Sequence, residues 1–182
     1  FFIMYLIKSY CKTLAQALLF WLLFFGLQRG IFLFYHAPLT FKSSLVDIVY
    51  SYLVGFKLDF TAACYLLTIQ GLFSLFELIS GWRFFRKINQ FFWWIALVLS
   101  SIIATIDFEL FSSWNAKLNY KVMQYIGEPV AIVSFVSVNK TIFLVLLCAI
   151  IIAIGYVLRN FINARFFSNG IERNATWREK GS

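Results

Sequence analysis

At 182 residues, 62% hydrophobic and 21% aromatic but only 13% charged, the chain carries more apolar surface than a soluble domain of this size can hide. Its mean hydropathy is +0.81, and the net charge of +8 comes from Lys and Arg scattered through short connections between apolar runs. That is how membrane topology is written, so no nucleic-acid partner is expected; three distant cysteines with no Cys-x-x-Cys or Cys/His spacing exclude a zinc site or a disulfide framework.

In chain order, the first crossing is expected over 14–35, interrupted late by Gln28 and Arg29. Lys8 and Lys12 precede it, but the run is too long for a signal peptide and no small-residue cleavage motif closes it. Pro38, in His36-Ala-Pro-Leu-Thr, cannot continue a helical ladder and should end it. Over 45–56, Leu45, Ile48, Val49, Tyr52, Leu53 and Phe56 make one helical face, with Asp47, Tyr50 and Ser51 on the other. This stretch reaches only about 18 Å, too short to cross, and is expected to lie in the interface.

The second crossing is expected over 58–80, entered through Gly55-Phe-Lys-Leu-Asp, followed by a basic, aromatic loop with Arg83, Arg86 and Lys87. A third crossing occupies 90–106. A second interfacial helix is expected over 109–126, with Phe111, Trp114, Leu118, Val122 and Tyr125 on its apolar stripe and Asn115 and Lys117 largely off it, ended by Gly127-Glu-Pro. The fourth crossing covers 141–158, and a basic, polar tail runs over 159–182. The expected fold is one all-α transmembrane domain over 1–182, with four transmembrane helices and two outer interfacial amphipathic helices.

Cation counting gives the orientation. With the N-terminus cytoplasmic, Lys8, Lys12, Arg83, Arg86, Lys87, Arg159, Arg165, Arg173, Arg178 and Lys180 fall inside, ten of the sixteen cations. Five of the eight acids, Asp47, Asp59, Asp107, Glu109 and Glu128, fall outside. The positive-inside rule favours this arrangement, with both chain ends inside and both interfacial helices outside.

Arg29 is the most informative residue. It sits about 9 Å below the outer end of its crossing, where an arginine costs about 2.5–3.5 kcal/mol unless it snorkels or finds a partner. It either snorkels to the interface, pairs with Asp59, or meets a lipid phosphate, whose oxygens suit the guanidinium fork. Lys57 and Asp59 open the second crossing, and Asp107 and Glu109 leave the third at the same level, so an outer-leaflet patch of Arg29, Lys57, Asp59, Asp107 and Glu109 is expected against the alternative of ordinary solvated helix ends. Trp114, Asn115 and Lys117 would serve as interfacial anchors or headgroup contacts. His36 reads as a loop residue with no second metal ligand nearby, and Glu77 as an ion-pair partner of Arg83 and Arg86. Nothing supplies a nucleophile with its base, a phosphate loop or a metal cluster, so no catalytic residue and no cofactor is assigned to this chain.

The order Arg29, Phe32, Tyr35, then Gly55-Phe-Lys-Leu-Asp59 and Tyr65, resembles the membrane domain of the lipoteichoic acid synthase-like group of the alkaline phosphatase/sulfatase superfamily. The stretch Asp107-Phe-Glu-Leu-Phe-Ser-Ser-Trp-Asn-Ala-Lys-Leu, then Gln124-Tyr-Ile-Gly-Glu-Pro and Ser134, is similar to that family's extracytoplasmic segment between its third and fourth crossings. The resemblance implies a bacterial cytoplasmic (inner) membrane. It also implies a fifth crossing and an extracytoplasmic domain beyond residue 182, where a threonine nucleophile and a divalent metal (Mn or Zn) pass a phosphoglycerol or phosphoethanolamine group from a lipid to a polymer or glycan. On that reading the chain is a membrane anchor and lipid-presenting platform, whose partners are phospholipid headgroups and its own extracytoplasmic domain. A transporter or channel fits less well, because both prolines lie in expected loops and no acid sits at mid-depth; a structural subunit stays open.

Overall fold

A computed structural model describes residues 2–81, 83–114 and 138–179. Among them there is no strand. Four long helices and one helical turn follow in the order α1 (Phe2–Tyr35), α2 (Ala37–Thr40), α3 (Leu45–Ser80), α4 (Arg83–Trp114) and α5 (Val138–Glu179). Each long helix contains a segment long and apolar enough to cross a bilayer: Tyr10–Tyr35, Leu45–Ser80, Phe84–Ser112 and Asn139–Arg165. The chain is an all-α, multi-pass membrane protein.

Local chemistry sets the ends of these helices. Pro38 falls in the first turn of α2, where a missing N–H costs nothing, so the expected loop is a single helical turn. Ser44 caps α3 by accepting from the Asp47 N–H at 3.2 Å, and the Asp47 carboxylate accepts from the Ser44 N–H at 3.3 Å. This reciprocal pair starts the helix. Gly81, at φ +65°, ends it in the left-handed conformation, with its N–H on the Glu77 carbonyl at 2.9 Å.

Three boundaries differ from expectation. Residues 45–56 are not a separate interfacial helix: they are the first third of α3, which runs unbroken for 36 residues, about 54 Å. That is longer than a hydrocarbon core of about 30 Å, so α3 tilts or projects beyond it. Residues 159–179 of the expected basic, polar tail continue α5. Of the second expected interfacial helix, 109–114 extend α4 and 115–126 lie outside the described residues.

The four long helices pack in a ring, α1 against α3, α3 against α4, α4 against α5 and α5 back on α1. Their side-chain contacts run antiparallel: Tyr10 reaches Gly71 while Arg29 reaches Ser51, and Glu109 meets Lys140 while Trp93 meets Arg159. The core is an aromatic waist of Phe20, Trp21 and Phe24 from α1 with Trp93 and Leu97 from α4, closed by Ile151 of α5. Phe20 stacks on Phe24 at 5.7 Å and meets Trp93 at 5.3 Å. The outer sides stay apolar and exposed, Leu45 at 81% and Val157 at 64%, as befits helices solvated by lipid.

Without a hydrophobic reward for burying such faces in lipid, close packing and polar links have to hold the ring. Gly155 of α5 is one close approach: a Cβ there would lie 2.5 Å from Leu97 Cδ1 and 2.8 Å from Phe24 Cε2. Both neighbours are fully buried and have nowhere to retreat. Gly155→Val is therefore expected to destabilise the bundle by about 1–3 kcal/mol, read as a lower unfolding midpoint in detergent.

Candidate functional site

Arg29 does not snorkel. Its guanidinium clamps Asp59 with two hydrogen bonds, Nη2 to Oδ1 at 2.8 Å and Nε to Oδ2 at 3.3 Å, while Nη1 donates to the Ser51 carbonyl at 3.3 Å. Ser51, Gly55 and Asp59 recur every fourth residue and so share one stripe of α3. The middle position makes the slot: any Cβ on Gly55 would collide with the guanidinium itself. Gly55 thus lets the arginine lie flat on the helix and exposes the Ser51 carbonyl beneath it. Both side chains are largely withdrawn from the surface, 14% exposed for Arg29 and 18% for Asp59. In such surroundings the forked geometry and mutual neutralisation are what make either charge tolerable.

A cleft of about 590 Å³ opens beside this clasp, between α1, α3 and α4. Arg29, Asp59, Gln28 and Asp107 give it a polar end, and Ile69, Phe92 and Ile95 line its apolar length. Asp59 and Ile69 are ten residues apart, so the cleft follows α3 for about 15 Å. Gln28 is 8% exposed and its Nε2 has no hydrogen-bond partner. A buried donor left unmatched is a place where a ligand acceptor gains more than it would at the surface.

A second cluster closes the same end of the bundle on the α5 side. Glu109 accepts from Lys140 at 2.6 Å and from the Tyr35 hydroxyl at 3.3 Å, tying α4, α5 and α1 together. His36, 7% exposed, is enclosed by Phe32, Tyr35 and Phe111, with ring centroids at 4.7, 5.0 and 4.9 Å. Its Nε2–H donates to the Phe108 carbonyl at 3.2 Å, which fixes the proton on Nε2. Burial pushes the His36 pKa below its ordinary 6.5, against the weaker upward pull of the Phe108 carbonyl and the Glu109 carboxylate.

The expected patch is thus split in two. Arg29 and Asp59 join directly and Asp107 lines the same cleft, whereas Glu109 belongs to the Tyr35–Lys140 cluster. Lys57 is exposed and forms no ion pair among the described residues. Trp114 is the last residue of α4, and Asn115 and Lys117 lie outside the described residues. Glu77 pairs with Arg86 at 2.6 Å, as its position predicts. Sequence reasoning did not assign Gly55, Gln28 or Lys140 to a site. The four-residue spacing of Ser51, Gly55 and Asp59 carried the signal for Gly55; nothing in sequence spacing joins Glu109 to Lys140.

Three tests follow from this geometry. Gly55→Ala, which would gain about 1 kcal/mol by helix propensity alone, is expected to lower the unfolding midpoint instead, because it evicts Arg29. Arg29→Leu leaves Asp59 buried and unpaired, at a cost of about 3–5 kcal/mol, and adding Asp59→Leu should restore most of it. The third test concerns pH. The folded state favours neutral His36, so its contribution is complete above the ordinary 6.5 and is lost as pH falls from there through the depressed folded value. Midpoints measured across that window should decline for the wild type and decline less for His36→Gln, which keeps a donor for Phe108.

No family model matches this sequence, and no curated protein or solved structure matches it either, so what the chain does has to be argued from these side chains.

Proposed function

We propose that the chain is a membrane platform that holds a phospholipid in the cleft between α1, α3 and α4, with the acyl chain along Ile69, Phe92 and Ile95 and the phosphate end near Gln28 and Arg29. The observation that carries this reading is the cleft's polarity gradient: one end gathers Gln28, Arg29, Asp59 and Asp107, and the remaining length is chiefly apolar. Arg29 spends three donor contacts on Asp59 and Ser51, which leaves one N–H on each terminal nitrogen for a phosphate oxygen. The clasp therefore positions the guanidinium, and the unmatched Gln28 amide adds a neutral donor beside it.

The resemblance to the lipoteichoic acid synthase-like group supports a finer reading. The platform would present a lipid donor to a metal-dependent (Mn or Zn) phosphoglycerol or phosphoethanolamine transferase domain on the external side of a bacterial cytoplasmic membrane. The charge count supports the matching orientation, with the Arg29 end outward and the N-terminus cytoplasmic. On that reading the chemistry would belong to the transferase domain, and no side chain here is assigned a catalytic role.

Ala62 is exposed and lines the cleft, so Ala62→Phe obstructs it without overpacking the core. In nanodiscs containing a phospholipid with a photoactivatable acyl chain, cross-links are expected on α3 and α4 around Ile69 and Ile95. They should fall by more than about half in Ala62→Phe, at an unchanged unfolding midpoint. Equal labelling of wild type and variant would remove the lipid from this cleft.

A further inference from the structure

At the opposite end of the bundle, about 20 Å along α1 from Arg29, a second cavity of about 420 Å³ lies among α1, α3, α4 and α5. Its character differs from that of the cleft. Amides from Gln16, Gln70, Asn89 and Asn163 face into it together with Arg86 and Arg159.

Glu77 is engaged by Arg86 at 2.6 Å, Asn89 donates to the Ser74 hydroxyl at 3.0 Å, and the Gln70 carbonyl oxygen accepts from the Trp21 indole at 3.3 Å. Two donors of the lining, on Gln16 and Arg159, are placed to receive an acceptor. Gln16 is 8% exposed and its Nε2 has no partner. The Arg159 guanidinium lies 3.8 Å from the centre of the Trp93 ring, and no carboxylate pairs with it among the described residues. With Arg86 and Arg159 against Glu77, the lining is net positive by one charge.

A guanidinium seated over an indole leaves N–H donors for other partners, and its forked edge matches two oxygens of a phosphate. We infer that this cavity is a phosphate-binding site, in which Arg159 supplies the charged fork and Gln16 a neutral donor. The phosphate comes either from a phospholipid of the adjacent leaflet or from a soluble phosphate compound. The site shares no lining residue with the Arg29 cleft and does not depend on the lipid reading of that cleft.

The full chain in a neutral detergent can be titrated with phosphatidylglycerol in mixed micelles, with inorganic phosphate and with chloride, following tryptophan emission. Trp93 lies directly under Arg159, so binding should change the emission, and Trp93→Phe should remove most of that change. Arg159→Gln is expected to weaken binding of phosphatidylglycerol about tenfold and Gln16→Leu about threefold. If inorganic phosphate competes, the soluble source is supported; if it does not, the site reads a lipid headgroup. Should Arg159→Gln fail to fold, Arg159→Lys keeps the charge but not the fork, and must still weaken binding at least about threefold. Affinity unchanged in these variants, a chloride response equal to that of phosphate, or no response to either phosphate probe would overturn the assignment.

Discussion

The clasp of Arg29 on Asp59 across Gly55 is the constraint around which the described structure is arranged. A bilayer gives helices no reward for hiding leucine from leucine, so association has to come from close backbone approach and from polar groups that cannot be left alone in hydrocarbon. Here both devices coincide at one point. Gly55 lets an arginine lie on α3, and the arginine makes α3 the only tolerable neighbour for that face of α1. The buried bond from Trp21 to Gln70 and the contact of Tyr10 with Gly71 repeat the logic further along the same pair of helices. The seam between α1 and α3 is thus polar and small-residue in character, while the seams involving α4 and α5 combine aromatic packing with polar links such as Glu109 with Lys140 and Asn89 with Ser74.

That division places the openings. Where α1 and α3 are pinned by a charge pair, α4 closes the gap between them only in part, and the cleft beside Asp59 results. At the other end, α5 continues past residue 158: Ile162 is buried and Arg159 caps Trp93, so the helix walls a polar cavity in place of ending in a solvated tail. Both openings contain a glutamine whose amide nitrogen is unmatched, Gln28 in one and Gln16 in the other. A buried amide with a free donor is costly in any interior and more so in one surrounded by lipid.

Much of the fold was legible in the sequence because lipid imposes a simple rule, an apolar run of about 20 residues per crossing. The four crossings follow from that rule alone. What it could not supply was continuity. Residues 45–56 read as an element apart from 58–80 because they are too short to cross alone, yet they continue into one helix in which the missing side chain of Gly55 matters more than its propensity. Residues 159–179 read as a tail because they are polar, although polar residues continue a helix readily once part of it is anchored. The Arg29–Asp59 pairing was within reach, since both lie at matching depth on adjacent crossings. The Glu109–Lys140 pairing was not, because it needs the relative placement of α4 and α5.

Between the two openings stands the aromatic waist. Trp21 and Leu97 are fully buried, Phe24 is 1% exposed, and Phe20 and Trp93 interlock beside them at 5.3 Å. A conduit would need polar groups or mobile small residues at this level, with half-helices broken by glycine or proline to coordinate a passing ion. The described helices instead cross it unbroken, and the buried hydroxyls of Ser101 and Thr105 turn inward to their own helix, donating to the carbonyls of Leu97 and Ser101 at 2.7 and 2.8 Å. A bundle sealed at mid-depth and recessed at both ends is suited to holding ligands from either side without passing them through. This is the physical ground on which we propose a platform in place of a transporter.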